Sequence, residues 1–223
     1  MCADSSQLVD HRNIYVSNFR GIAMKKFATG VGLAIILLFS GCSSSALPNR
    51  NCPLAFLMPD TSVFPDSTKH LSLQSPAPKL AYGSRGVDSG FQEYQFGTAT
   101  SALDQLRATH EIQRWSTISV AQRDYIDRRD FALQTGDRFG PWTHPSAITF
   151  TSRFADEAEI ACGNIEIVRK MYRCWMVGRY QEYVVIFDTE VVSGVLDLAQ
   201  VNPILSDIDN RMGACLAKPV IAK

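Results

Sequence analysis

Apolar positions change rhythm twice along the chain. Phe27 to Phe39 is an almost unbroken apolar run; a Ser-, Pro- and Gly-rich stretch follows to about Gly90, and from Phe91 the spacing is that of a folded domain. Phe91–Phe96 alternates imperfectly and predicts a strand. Ser101 stands where it could cap a helix carrying Leu103, Leu106 and His110 on one face. Ser119-Val120-Ala121-Gln122 matches a capping box and predicts a second helix to about Gln134. Its charged positions Arg123, Asp124, Asp127, Arg128 and Asp130 read as a solvated, ion-paired face. Thr135–Pro145 is a Gly/Pro-rich loop, and Ala147–Thr151 is a strand candidate.

The densest β-branched and aromatic runs are Ile165–Val168, Tyr172–Tyr180 and Glu182–Val192, which predict strands. Tyr183-Val184-Val185-Ile186-Phe187 has no polar alternation, so it predicts a central strand covered on both faces. Phe154–Ala161 is ambiguous, and Asp156-Glu157-Ala158-Glu159 is compatible with the start of a short helix. For the last helix, Asn202 suits the cap, Pro203 the first helical position, and Asp207 the positive end of the dipole. Leu205, Ile208, Met212, Cys215 and Leu216 form its apolar stripe, and Pro219 its stop. The expected fold class is α+β, an antiparallel sheet of about four to five strands packed with three helices, one of them C-terminal.

Residues 24–45, MKKFATGVGLAIILLFSGCSSS, put Lys25 and Lys26 before the apolar run and small residues Ser40 and Gly41 before Cys42. That order is a secretory signal's, with an apolar core shorter than the ~20 residues of a spanning helix. Leu38-Phe39-Ser40-Gly41-Cys42 resembles the lipobox of bacterial membrane lipoproteins, with Phe39 where that family prefers Leu. The resemblance implies cleavage between Gly41 and Cys42 and a diacylglycerol thioether on Cys42. It implies a location at the cell envelope, with Ser43 suited to outer-membrane sorting if the source has two membranes. Residues 1–23 fit as an upstream extension with Met24 as the true start. Residues 24–41 are then the signal, 42–90 a tether and loop segment, and 91–223 a single globular domain. Leu54–Met58 is an apolar patch within the tether, expected to dock on the domain.

Beyond Cys42 stand Cys52, Cys162, Cys174 and Cys215, an even number suited to an oxidising compartment. Three pairings are open. Cys162–Cys174 is favoured because two neighbouring strands joined by a short loop would bring them together; Cys52–Cys215 follows by elimination. No C-x-x-C or Cys/His pair at ligand spacing points to a metal, and no motif implies a cofactor.

At 46% apolar and 20% charged residues the chain has the composition of a packed protein. Beyond residue 41, 18 Lys and Arg stand against 20 Asp and Glu, which disfavours nucleic-acid binding. Candidate chemistry is sparse. His110-Glu111-Ile112-Gln113-Arg114 starts like the zinc-protease helix motif, but Arg114 stands where the second His belongs. The serines of Gly83–Gly90 and the glycines of Gly136–Gly140 fit turns better than a nucleophile elbow or a phosphate loop. Pro141-Trp142-Thr143-His144-Pro145 could present Trp142 and His144 as ligand contacts, or Trp142 could plug a corner of the core. Trp115 and Trp175 read as core residues, and no partner can be chosen among Glu157, Glu159 and Glu166. The leading expectation is a non-enzymatic envelope lipoprotein that binds an envelope protein partner or stiffens an assembly. The alternatives are a membrane-tethered hydrolase and a small-ligand or glycan-binding module.

Overall fold

The computed structural model describes residues 50, 52–66, 72–73, 87–96, 106–136, 140–166 and 170–218. All of them lie in the second of the chain's two units, 43–223. The signal segment, Cys42, Ser101, Leu103 and residues 167–169 fall outside the described residues.

A six-stranded antiparallel sheet runs in the order β1-β2-β3-β6-β5-β4. Its strands are β1 (Ser72–Leu73), β2 (Asp88–Phe96), β3 (Leu106–Arg114), β4 (Glu157–Glu166), β5 (Lys170–Tyr180) and β6 (Tyr183–Glu190). Among the described residues the α-helices are a single turn, α1 (Leu54–Leu57), then α2 (Ile118–Ala132) and α3 (Leu198–Leu216), with a short 3-10 helix at Thr61–Val63. The fold is α+β with a C-terminal helix. Every residue of β6 is buried, as its unbroken apolar sequence requires. Tyr183, Val185 and Phe187 face α3, while Val184 and Ile186 face Ala121 and Tyr125 of α2.

Three local expectations are corrected. Leu106 and His110 lie on a strand, because Ala108, His110 and Ile112 alternate with Thr109, Glu111 and Gln113 at the strand period of two. Asp156–Glu159 opens no helix, since β4 begins at Glu157 and its register with β5 fixes an extended backbone. Helix α2 starts one turn's fraction earlier than the Ser119 box suggests: Thr117 is the cap, its Oγ1 accepting from Val120 N at 3.1 Å.

The correction at α3 is the most instructive. The helix begins at Leu198 behind Asp197, with Gln200 Oε1 accepting from the Asp197 N–H at 2.7 Å. Pro203 therefore sits inside the helix and cannot donate to Ala199 O. Asn202 supplies the missing donor: its Nδ2 reaches Ala199 O at 2.9 Å and also Ala147 O at 2.9 Å. Its Oδ1 accepts from Thr149 N and Phe150 N at 2.9 and 3.0 Å. Ala147–Thr151 is consequently a loop fastened to α3, not a strand, because Ala147 O, Thr149 N and Phe150 N bond to one side chain rather than to a neighbouring strand.

Residues 52–64 belong to the main core. Leu54, Leu57, Met58 and Phe64 are buried in it, and Met58 and Leu54 lie so close to Gly90 that a Cβ there would stand 2.5 Å from Met58 Cε. Tyr94 donates to Pro59 O at 2.6 Å and stacks at 4.7 Å on Phe64. The Cys52–Cys215 disulfide joins this segment to α3 across 163 positions, and Cys162–Cys174 bridges directly opposed residues of β4 and β5. In a chain-entropy account the long loop constrains the unfolded state by about 5 kcal/mol and the short one by about 3 kcal/mol. Arg50 reinforces the first bond. It donates to Leu216 O and Gln181 Oε1, and its Nε lies 3.5 Å from the fully buried Glu182 carboxylate.

Replacing Asn202 with Ala should lower stability by about 1–3 kcal/mol, because Ala199 O loses its substitute donor and the 147–150 loop its clamp. A urea-denaturation midpoint unchanged from wild type would show that Asn202 does not hold this junction.

Candidate functional site

The two sheet faces differ in chemistry. Under α3 the surface is apolar; on the α2 side, beyond the reach of Ala121 and Tyr125, the strands carry charge. Register places Thr109, Asp188 and Trp175 side by side across β3, β6 and β5. The next row brings Glu190 opposite Arg173. Asp188 and Glu190 share this face because they are two residues apart on one strand. Arg173 Nη2 pairs with Asp188 Oδ2, and its guanidinium lies 6.0 Å from the Trp175 ring centre. Burial pushes the Asp188 carboxyl up to about 6, with Glu190 adding to the rise and Arg173 opposing it. Arg173 Nε and Trp175 Nε1 are buried donors without an acceptor among the described residues.

Towards the other end of this face, Glu111 accepts from Arg128 Nη1 at 2.9 Å and from Gln113 Nε2. Arg128 also bonds Asp124 at 3.3 Å, and Asp124 accepts from Trp115 Nε1 at 3.0 Å. The α2 charges expected to be wholly solvated are therefore divided. Asp124 and Arg128 tie the helix to the sheet, whereas Arg129 pairs with the exposed Asp130. Burial raises the Asp124 carboxyl, against the pull of Arg128.

The residues singled out from the sequence serve the fold. Trp142 donates Nε1 to Gln134 O at 2.9 Å, and its ring covers Gly163, where a Cβ would stand 2.9 Å from it. Thr143 exchanges backbone hydrogen bonds with Cys162 at 2.8 and 2.9 Å, and Gly140 N donates to Asn164 O at 3.0 Å. The Trp142 loop thus covers the open edge of β4, a common protection of edge strands. His144 lies with Nδ1 3.2 Å from Ile160 O and Nε2 3.1 Å from Ile148 O. A neutral imidazole donates to one of these two carbonyls, which holds the ring against backbone. His110 is fully buried, with Nδ1 3.2 Å from Met58 Sδ. Burial, helped by the distant charge of Arg211, pulls its pKa down to about 3, so it is a neutral core residue at ordinary pH. Glu157 pairs with Arg179 at 2.9 Å, Glu159 lies 3.9 Å from Arg129, and Glu166 ends β4. The three carboxylates form no common site.

A cavity of about 270 Å³ lies between α3 and the 149–153 loop, lined by Phe150, Arg153, Asn202, Ser206 and Asp209 among others. Its best-placed polar groups are already committed. Asn202 makes the four bonds described above, and Asp209 accepts from Ser152 Oγ, from Arg153 N at 3.0 Å and from Tyr180 OH at 3.1 Å. Among the described residues no group of three or more His, Cys, Asp or Glu is arranged to hold a metal ion.

The Asp188–Arg173–Trp175 cluster escaped the sequence reading. Its signal was the reappearance of acids at 188 and 190 after five apolar positions, which at strand spacing puts two carboxylates on one face.

His110 and Asp188 should push stability in opposite directions with pH. The depressed His110 value gives stability that is complete above its ordinary 6.5 and lost as pH falls towards 3. The raised Asp188 value gives stability present below 3.8 and lost as pH rises through about 6. Relative to wild type, His110→Leu should gain stability as pH falls from 6.5, and Asp188→Asn should gain as pH rises from 4 to above 6. Denaturation midpoints across that range check both, and parallel profiles for variant and wild type would refute the assignment.

No family model, curated protein or solved structure matches the chain.

Proposed function

We propose that this chain is a lipid-anchored cell-envelope protein whose folded body acts by binding or bracing a partner, without catalysis of its own. The observation that carries the reading is the order of residues 24–42: two lysines, an apolar core, small residues, then Cys42. Two disulfides in the body agree with an oxidising compartment. The non-enzymatic part is supported by how the candidate groups are spent. His144 and Asn202 are engaged with backbone, His110 is neutral and buried, and the cavity's Asp209 is filled by internal donors. Among the described residues no helix is long and apolar enough to cross a membrane.

One observation favours a hydrolase instead. Burial raises the Asp188 carboxyl to about 6, the kind of shifted group that acid–base chemistry uses. Asp188 is also buried and bonded to Arg173, the arrangement of a structural ion pair. Abolished turnover of an envelope substrate in Asp188→Asn, with the fold intact, would decide for the enzyme.

The anchor is tested by intact mass. Detergent-extracted protein should have the mass of a chain starting at Cys42 plus two or three acyl chains, which together exceed the marginal hold of one. Cys42→Ala should abolish that modification, while specific partners recovered with the wild-type body should still be recovered. An unmodified, uncleaved chain in the cytosol with Cys52, Cys162, Cys174 and Cys215 all reduced would overturn the proposal.

A further inference from the structure

The cavity between α3 and the 149–153 loop is walled by two side chains that fix its shape. Asn202 spends both donors on Ala147 O and Ala199 O, and its oxygen on Thr149 N and Phe150 N. Asp209, 2% exposed, accepts from Ser152 Oγ, Arg153 N and Tyr180 OH. The loop is thereby pinned to α3 at two points, so the walls stand in place before any ligand arrives. Other groups inside remain uncommitted. Thr149, Thr151 and Ser206 line the cavity and are exposed, and among the described residues none of their hydroxyls bonds to a protein group. Arg153 donates Nη2 to Asn210 Oδ1, which leaves Nε and Nη1 for a ligand. Phe150, half-buried and packed on the main core, gives one apolar wall.

The lining decides the class of ligand. Three hydroxyls, each able to donate and to accept, suit a molecule whose own surface is hydroxyl. The two ionisable lining residues, Arg153 and Asp209, carry opposite formal charges, so no positive excess draws an anion. The loop amides that could cradle an oxyanion, Thr149 N, Phe150 N and Arg153 N, are already taken by Asn202 and Asp209. At about 270 Å³ the cavity is smaller than the ~300–1,000 Å³ that drug-sized ligands occupy, which fits one ring of a chain.

We propose that this cavity receives one sugar ring of a neutral glycan, its hydroxyls on Thr149, Thr151, Ser206 and Arg153 and a C–H face on Phe150. The proposal deepens the binding reading by naming the partner's chemistry, and rests on that reading only for where such a glycan is met. The test applies the full chain, in detergent, to an array of neutral, phosphorylated and carboxylated glycans. Thr149→Val with Thr151→Val removes two hydroxyls at nearly constant shape, and Ser206→Trp fills the cavity from an exposed helix position. Urea-denaturation midpoints show that each variant keeps the fold. The expected result is binding to neutral glycans, competed by the free terminal monosaccharide and weakened about tenfold or more by either change. Binding confined to phosphorylated or carboxylated glycans would overturn the proposal in favour of an anion site. Undiminished binding by both folded variants would overturn it by placing the glycan elsewhere. No glycan bound by the folded wild-type chain would also overturn it. In that case acylated Cys42, with a specific protein partner recovered by the Cys42→Ala body, would leave the anchored binding protein standing, and the lack of both would remove that reading too.

Discussion

The structure depends on a strand that cannot face water on either side. β6 is buried along its whole length, so the chain must supply a cover for each surface of the sheet. Helix α3 and residues 52–64 form one cover and α2 part of the other. The first is a continuous apolar contact in which each fully buried large side chain contributes about 1.5–3 kcal/mol. The second is apolar only where Ala121 and Tyr125 meet Val177, Val184 and Ile186. Around that small cluster the sheet relies on ion pairs, among them Arg128–Glu111 and Arg173–Asp188, which bring directionality but little net stability.

How much of this was legible in the sequence follows from where the deciding interactions lie. The α+β class, the central place of Tyr183–Phe187 and the final helix were readable because hydrophobic period decides them locally. Leu106–Arg114 was misread because spacing of Leu103, Leu106 and His110 mimics a helical face, whereas the strand is imposed by pairing with β2 and β6. The start of α3 was misplaced because Asn202 and Pro203 have the identities of a cap and a first turn. Their real arrangement needs a loop more than fifty residues away, which no local rule contains. The Asp188 cluster was missed for a related reason: Arg173 and Asp188 become neighbours only through the β5–β6 register.

The candidate groups share a pattern. Trp142, His144 and Asn202 each lend a side chain to backbone: Trp142 to Gln134 O just after α2, His144 to a carbonyl at Ile148 or Ile160, and Asn202 to Ala199 O inside α3. Residue types that often mark chemistry are here hydrogen-bonded to the backbone they pack against. Around Asp188 the pairing is incomplete, since Arg173 Nε and Trp175 Nε1 have no hydrogen-bond partner among the described residues.

The junction of residues 50–52 with the end of α3 has a mechanical meaning. Any pull applied upstream of residue 50 passes first through Arg50 into the β5–β6 turn and then across a covalent sulfur bridge into the last helix turn. Force entering there bypasses β1 and β2, so the outer strands cannot be unzipped one after another from the amino-terminal side while that bridge is intact. The body would resist traction as a whole, with the sulfur link as its shackle.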